Sequence, residues 1–410
     1  MAGARPSAGP PSIAEVTLKL REPATSPREP LTVVGLFAGI GGIEVGLHAA
    51  GHHTVLLCEI EPAAQQVLRE HFPEIPLTPD VRELESIPDV GICAAGFPCQ
   101  DLSQAGRTAG IRGTNSGLVA EVFRLVEKSN PRWLLLENVP FMLQLNRGAA
   151  MRFLTSSLET LGFSWAYRVV DTRAFGLPQR RQRVILLASR TEDPREVLFV
   201  GDEGEPEWPD ASGVACGFYW TEGIRGLGWA IDAIPTLKGG STIGIPSAPA
   251  IRFANGLIAT PDLRDAERLQ GFDPDWTAPA RTGGRRQGFR WKLVGNAVSV
   301  PVARWVGERL HNPQPYDASH DEPLPVGAPW PKAAWGTHGR VSRADLSTWP
   351  VRHEYQHLAE FLGFDPSPLS ERATAGFLRR ADESSLNFPD GFLDDVAAHL
   401  AMVRAEPLFV

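Results

Sequence analysis

The stretch GFPCQDLSQAG, residues 96–106, sets Cys99 between Pro98 and Gln100 just past an apolar run, DVGICAAG. A thiol on a turn bounded by glycine and proline is accessible, and a nearby cation or helix N-terminus can lower its pKa enough to make it a nucleophile. LLLENV then brings Glu137 and Asn138 to the end of a strand, so a carboxyl group emerges on the same edge. FGLPQRRQRVILLAS leads Arg180, Arg181 and Arg183 into a further strand, where the two-residue repeat puts Arg181 and Arg183 on one face. Each feature alone has a plainer reading. A lone cysteine is usually structural, and an arginine run is usually a solvated surface.

A second constellation opens the chain's first strand. In GLFAGIGGIEVGLHAAGH, Gly39, Gly41 and Gly42 let the backbone turn tightly and approach a ligand before a helix begins. Phe37 offers an aromatic face, Glu59 ends the next strand where such folds place an acid against ribose hydroxyls, and Asp80 follows the third segment, where it can accept from an adenine amino group. The spacing is F-x-G-x-G-G and not the dinucleotide G-x-G-x-x-G. A tight loop with two solvated acids remains the alternative.

Around these residues, short β-branched and leucine-rich runs alternate with helical patterns: LTVVGLF, TVLLCE, DVGICAAG, RWLLLENV and RVILLAS. The alternation predicts an α/β fold, a mostly parallel sheet with helices on both faces. Residues 1–29, rich in Pro, Ala and Ser, read as a flexible leader, and 30–190 as the catalytic and cofactor-binding core. From 191 to 256 the alternation gives way to Gly, Pro and Trp, as in an inserted loop-rich region; 257–310 returns to the core, and 311–410 reads as a Pro-rich linker with a helical tail. Cys58, Cys93, Cys99 and Cys216 form no CxxC pair and have no histidines at ligand spacing, so neither zinc nor a disulfide framework is indicated. No apolar run approaches the roughly 18 residues of a membrane span, and a cytoplasmic protein, acting as a monomer, is expected. The net charge of −8 argues against general adhesion to nucleic acid, but RTGGRRQGFRWK gathers Arg281, Arg285, Arg286, Arg290 and Lys292 with no acid between them, a local phosphate-binding pattern.

The blocks FAGIGG, GFPCQ, ENV, QRRQR, RLQGF and VGNAV, in that order over about residues 31–310, resemble the DNA (cytosine-5) methyltransferase family. The resemblance implies a Rossmann-like, S-adenosylmethionine-dependent methyltransferase domain with a small loop-rich target-recognition region at 191–256. On these motifs Cys99 matches the nucleophile, Glu137 the acid facing cytosine N3, and Arg183 the arginine at cytosine O2, with Arg181 supporting the site. Phe37, Gly39, Ile40, Gly41, Gly42, Glu59, Ile60, Asp80, Val81, Pro98, Asn296 and Ala297 match positions around the cofactor. Gln100, Ser103, Arg285, Arg286 and Arg290 are expected at double-stranded DNA. The sequence departs from the family's pattern where Asn115 stands in TNSGL in place of an arginine, where Asp273 follows RLQGF, and at Asp262.

The implied role is protection of host DNA in a restriction-modification or phage-defence system, with other restriction or defence proteins as partners. The compact recognition region and helical tail are also similar to methyltransferases of DISARM-type phage-defence clusters. A transfer-RNA methyltransferase of the same fold ranks lower, because its Cys-Phe-Thr stretch is not evident in ACGFYW. A nicotinamide oxidoreductase explains the glycine loop and Glu59 but leaves Cys99, Glu137 and the arginines without a task. A catalytically silent DNA-binding subunit has no use for an intact Cys99 and Glu137.

Overall fold

Five runs rich in Val, Leu and Ala form the parallel strands β1 (Thr32–Leu36), β2 (His53–Cys58), β3 (Leu77–Thr78), β4 (Ile92–Gly96) and β5 (Trp133–Asn138), in the spatial order β3-β2-β1-β4-β5. The computed structural model describes residues 28–97, 117–240, 248–280 and 288–405. Next in sequence come β6 (Ser164–Asp171), the short β7 (Gln179–Arg180) and β8 (Gln182–Ser189); β8 lies antiparallel between β5 and β6. The strands carry near-continuous apolar runs because both faces of the sheet are covered. On β4, Ile92 and Ala94 pack into one core while Cys93 and Ala95 pack into the other.

Helices α1 (Gly42–Ala49), α2 (Pro62–His71), α3 (Leu118–Lys128) and α4 (Ala149–Thr160) follow their strands, and α3 and α4 share one face. The opposite face is closed by α1 and by α6 (Val300–His311) of the returning segment, whose other helix, α5 (Gly288–Asn296), packs into smaller neighbouring clusters. Two glycines of α1 permit this closure. A β-carbon on Gly42 would lie 2.2 Å from the Val298 carbonyl oxygen, and one on Gly46 would lie 2.4 Å from that of Val300 and 2.6 Å from the Ala303 side chain.

The loop-rich region builds β9 (Cys216–Phe218), β10 (Ala230–Ile231), β11 (Ile234–Pro235), β12 (Ala250–Arg252) and, just after it, β13 (Ile258–Thr260). Most of these join a small second sheet, while β11 pairs with β7 and so links that region to the core. Residues after 311 depart from the linker-and-helices reading. They form β14 (Glu322–Pro323), β15 (Ala333–Thr337) and β16 (Arg340–Arg343), which extend the main sheet beyond β6, and β17 (Ser367–Pro368), which pairs with β13 in the second sheet. The strands are short and proline-flanked, which hides their alternation. The one clear signal is the two-residue turn His338–Gly339, both residues at positive φ, as a tight hairpin between twisted strands requires. The helices of the tail are present as α7 (Glu371–Asp382) and α8 (Phe392–Ala405). Among the described residues no helix is long and apolar enough to cross a membrane.

The close approach of α1 to α6 is expected to make Gly46→Val costly, by about 1–3 kcal/mol for overpacking. Denaturant unfolding should show a lowered midpoint with the slope unchanged; a midpoint at the wild-type value would mean that the two helices are not locked together.

Candidate active site

Strand order reverses between β1 and β4, and in open α/β sheets ligands bind beyond the carboxyl ends of the strands at that point. A cavity of about 360 Å³ lies there. Phe37 and Gly39 enter it from the turn after β1, Glu59 and Ile60 from the end of β2, Phe97 from β4, Glu137 and Asn138 from β5, and Lys292 and Asn296 from α5. Gly39, at φ 58°, has open space where a side chain would begin, so its backbone is exposed to the cavity. Phe37 shares the left-handed conformation at φ 55°, a strained geometry for a non-glycine residue, as the turn leaves the strand.

Glu59 is held by main-chain donors. The Gly39 N–H donates to Oε2 and the Glu61 N–H to Oε1, both at 2.7 Å. Burial pushes this carboxyl's pKa up, and those N–H groups pull it back. Beneath the turn, Glu44 on α1 is fully buried, its pKa pushed up to about 7 by loss of solvent, and its Oε1 occupies the space left by Gly35 on β1.

Glu137 and Arg183 meet at the ends of the antiparallel pair β5 and β8, with Nε donating to Oε1 at 2.9 Å. Both are buried. Desolvation raises the carboxyl pKa against the pull of the Arg183 and Arg181 charges, and lowers that of the Arg183 guanidinium against the pull of Glu137. Arg183 also donates from Nη1 to the Gln182 carbonyl at 2.7 Å. Arg181 points away from the cavity: it donates to the carbonyls of Leu237 at 3.0 Å, Gly295 at 3.2 Å and Ala297 at 2.5 Å, tying the loop-rich region and the returning segment to the junction of β7 and β8.

A wider cavity of about 760 Å³ adjoins the first, and Val139, Arg183, Gly295 and Asn296 line both. The rest of its wall includes Phe141, Arg180 and Gln182 and, from the loop-rich region, Tyr219, Thr236 and Lys238. Gly239 is required here by close approach, because a β-carbon on it would lie 2.4 Å from Asn296 Oδ1.

Several sequence-predicted residues sit elsewhere. Asp80 does not line the cavity; it caps the turn Val81–Glu83 and pairs with Arg82 at 2.5 Å, because an adjacent guanidinium offers the nearest charge. Val81 is buried in the core. Gly41, Gly42 and Ala297 shape the turn and the helix contact without lining the cavity. Arg290 turns inward, to Thr277 Oγ1 at 2.7 Å and to buried Glu267 at 3.0 Å, so it is a structural ion pair and not a free phosphate contact. Pro98, Cys99, Gln100, Ser103, Arg285 and Arg286 lie outside the described residues. Two further residues take places that the sequence reading did not give them. Asn138 donates from Nδ2 to the Phe97 carbonyl at 2.9 Å and so fixes the exit of β4, a role signalled by its place beside Glu137. Lys292, grouped with the basic cluster, faces the first cavity instead.

Residues 31–213 match the family described as C-5 cytosine-specific DNA methylase. Type II methyltransferase M2.BsuMI of Bacillus subtilis (strain 168) is 48% identical over 379 residues, 89% of this chain and 97% of the relative. The chain belongs to the C-5 cytosine-specific DNA methylase family. Type II methyltransferase M.BsuFI of Bacillus subtilis is 36% identical over 313 residues, covering 67% of this chain and 71% of that one. The enzyme is thus a DNA cytosine-5 methyltransferase, and the transfer-RNA and nicotinamide readings fall away.

Glu59→Ala is expected to weaken binding of S-adenosylmethionine, the cofactor implied by the sequence resemblance, by roughly 1.5–3 kcal/mol with DNA affinity unchanged. Calorimetry checks this, and an unaltered cofactor affinity would remove Glu59 from the site.

Proposed function

We propose that this methyltransferase transfers a methyl group from S-adenosylmethionine to C5 of a cytosine flipped out of duplex DNA, with Cys99 as the nucleophile. The observation that carries the reading is the buried Glu137–Arg183 pair at the junction of two cavities. Cytosine C5 is a weak nucleophile. A thiolate adding to C6 pushes the C5=C6 electron pair toward C5 and places negative charge on N3 and O2. Glu137, kept toward its neutral form by burial, is suited to hydrogen-bond N3, and Arg183 to stabilise O2. Once C5 carries the methyl group, loss of its proton to a base restores the C5=C6 double bond and expels the Cys99 thiolate from C6.

The first cavity fits the cofactor. It is within the size range of small-molecule sites, and Phe37 and Ile60 supply apolar walls, the Glu59 carboxylate a partner for ribose hydroxyls, and the Gly39 turn close backbone approach. When bound, the cofactor supplies an electrophilic methyl group on a positively charged sulfur. The wider cavity, lined by Arg180, Lys238 and Phe141, lies on the side from which DNA would approach. The target base must leave the stack, at a cost of a few kcal/mol. The Type II names of the relatives support a restriction-modification setting over a DISARM-type one, with residues 191–256 choosing the sequence.

A duplex carrying 5-fluorocytosine at the target has no C5 proton to lose. With S-adenosylmethionine the wild-type enzyme is expected to form an adduct with it that survives denaturing electrophoresis, while Cys99→Ala binds the same duplex only reversibly. Normal release of methylated fluorinated duplex, or an adduct mapped to Cys58, Cys93 or Cys216, would overturn the assignment.

A further inference from the structure

The recognition-side wall of the wider cavity is fixed by more than its own sheet. Tyr219, directly after β9, donates its hydroxyl to the Thr236 carbonyl at 2.6 Å. Its ring lies under the Lys238 ammonium, 3.6 Å from Nζ to the centroid, and the same ammonium pairs with Glu222 at 2.5 Å. Lys238 is therefore a cation clamped between a ring and a carboxylate, and it lines the cavity that Arg183 also lines. A lysine that only neutralises phosphate has no need of a fixed direction. One held this way aims its donors, as reading of acceptor atoms on a base edge requires.

The clamp is anchored from the other end of the chain. Arg380 on α7 donates from Nε to the Glu222 carbonyl at 2.8 Å and from Nη2 to the Trp220 carbonyl at 2.6 Å. It has no carboxylate partner among the described residues, so its guanidinium serves this turn. Gly223, at φ 110°, lets the turn lie against Phe377 of α7. The two tail helices also form the apolar floor of the second sheet: the Phe218 ring lies 5.3 Å from Phe377 and 4.9 Å from Phe392, and Arg252 of β12 pairs with Asp395 of α8 at 2.7 Å.

We propose that the C-terminal segment is a working part of the DNA-recognition unit, and that Arg380 is the positioning residue that holds the Tyr219–Glu222 turn and, through it, Lys238 against a base of the target duplex. The proposal rests on DNA as the substrate of the neighbouring site. Equilibrium binding is the readout, so that a chain which discriminates among duplexes without methylating them would sink the reading of the active site and keep this one.

The test uses the full-length protein, the duplex it binds most tightly from a randomised pool, and duplexes with each single base-pair change. Lys238→Met and Arg380→Ala are each expected to cut discrimination at the same base pair by roughly 10- to 100-fold, the range of a lost base contact. Arg380→Lys should retain part of it, Arg379→Ala on the exposed side of α7 all of it, and the double variant should discriminate no worse than Lys238→Met alone. If Arg380→Ala does not fold, partial relaxation by Arg380→Lys at the base pair affected by Lys238→Met supports the proposal. Uniform weakening on every duplex with a flatter salt dependence would make Lys238 a phosphate contact and overturn it. Discrimination unchanged in both Arg380 variants would overturn the role of the tail.

Discussion

A carboxyl and a guanidinium buried together, Glu137 and Arg183, are the constraint around which the rest is organised. Bringing two ionisable groups out of water is expensive, and a buried pair persists only where geometry and further hydrogen bonds hold it. Here the antiparallel register of β5 and β8 sets the distance, and the Gln182 carbonyl takes another donor of the guanidinium. The same burial underlies the chemistry proposed for the pair. A carboxyl in water is ionised at neutral pH and cannot donate, whereas desolvation raises the Glu137 pKa toward a form that can.

The two cavities meet at this pair because the sheet changes direction there. Parallel strands β1 to β5 deliver the glycine turn, Glu59 and Glu137 to one edge, and β8 runs back to place Arg183 beside them. Arg181, just before that strand, fastens the loop-rich region and the returning segment to its start. One short stretch, Arg181 to Arg183, thus carries both the charge beside Glu137 and the attachment of the elements that enclose it.

Much of this was legible in the sequence, because local pattern and chemistry agreed. Apolar runs ending in Gly, Glu or Asn announced the strands and the edge at which they end, and Glu137, Arg183, Phe37, Gly39, Glu59 and Asn296, singled out from their motifs, line the cavities. Part of what was missed depends on long-range partners. Arg290 looks like part of a basic cluster until Glu267, distant in sequence, is seen to claim it. Asp80 matches a motif position but spends its oxygens on the neighbouring Arg82. β14 to β17 are two to five residues long and carry too little periodicity to stand out, and their stability comes from the sheets they extend. Nothing local marks Arg380, whose partners lie some 160 positions away.

The central claim, that Glu137 acts as a buried proton donor beside Arg183, is tested most directly by single-turnover methyl transfer as a function of pH, in wild type and Glu137→Gln with cofactor and duplex both saturating. The wild-type rate should fall on the alkaline side, through a pKa above the ordinary carboxylate range, as Glu137 loses its proton. Glu137→Gln should be slower by roughly 100-fold or more and should lack that limb. A Gln variant that matches the wild-type rate and pH profile would contradict the account.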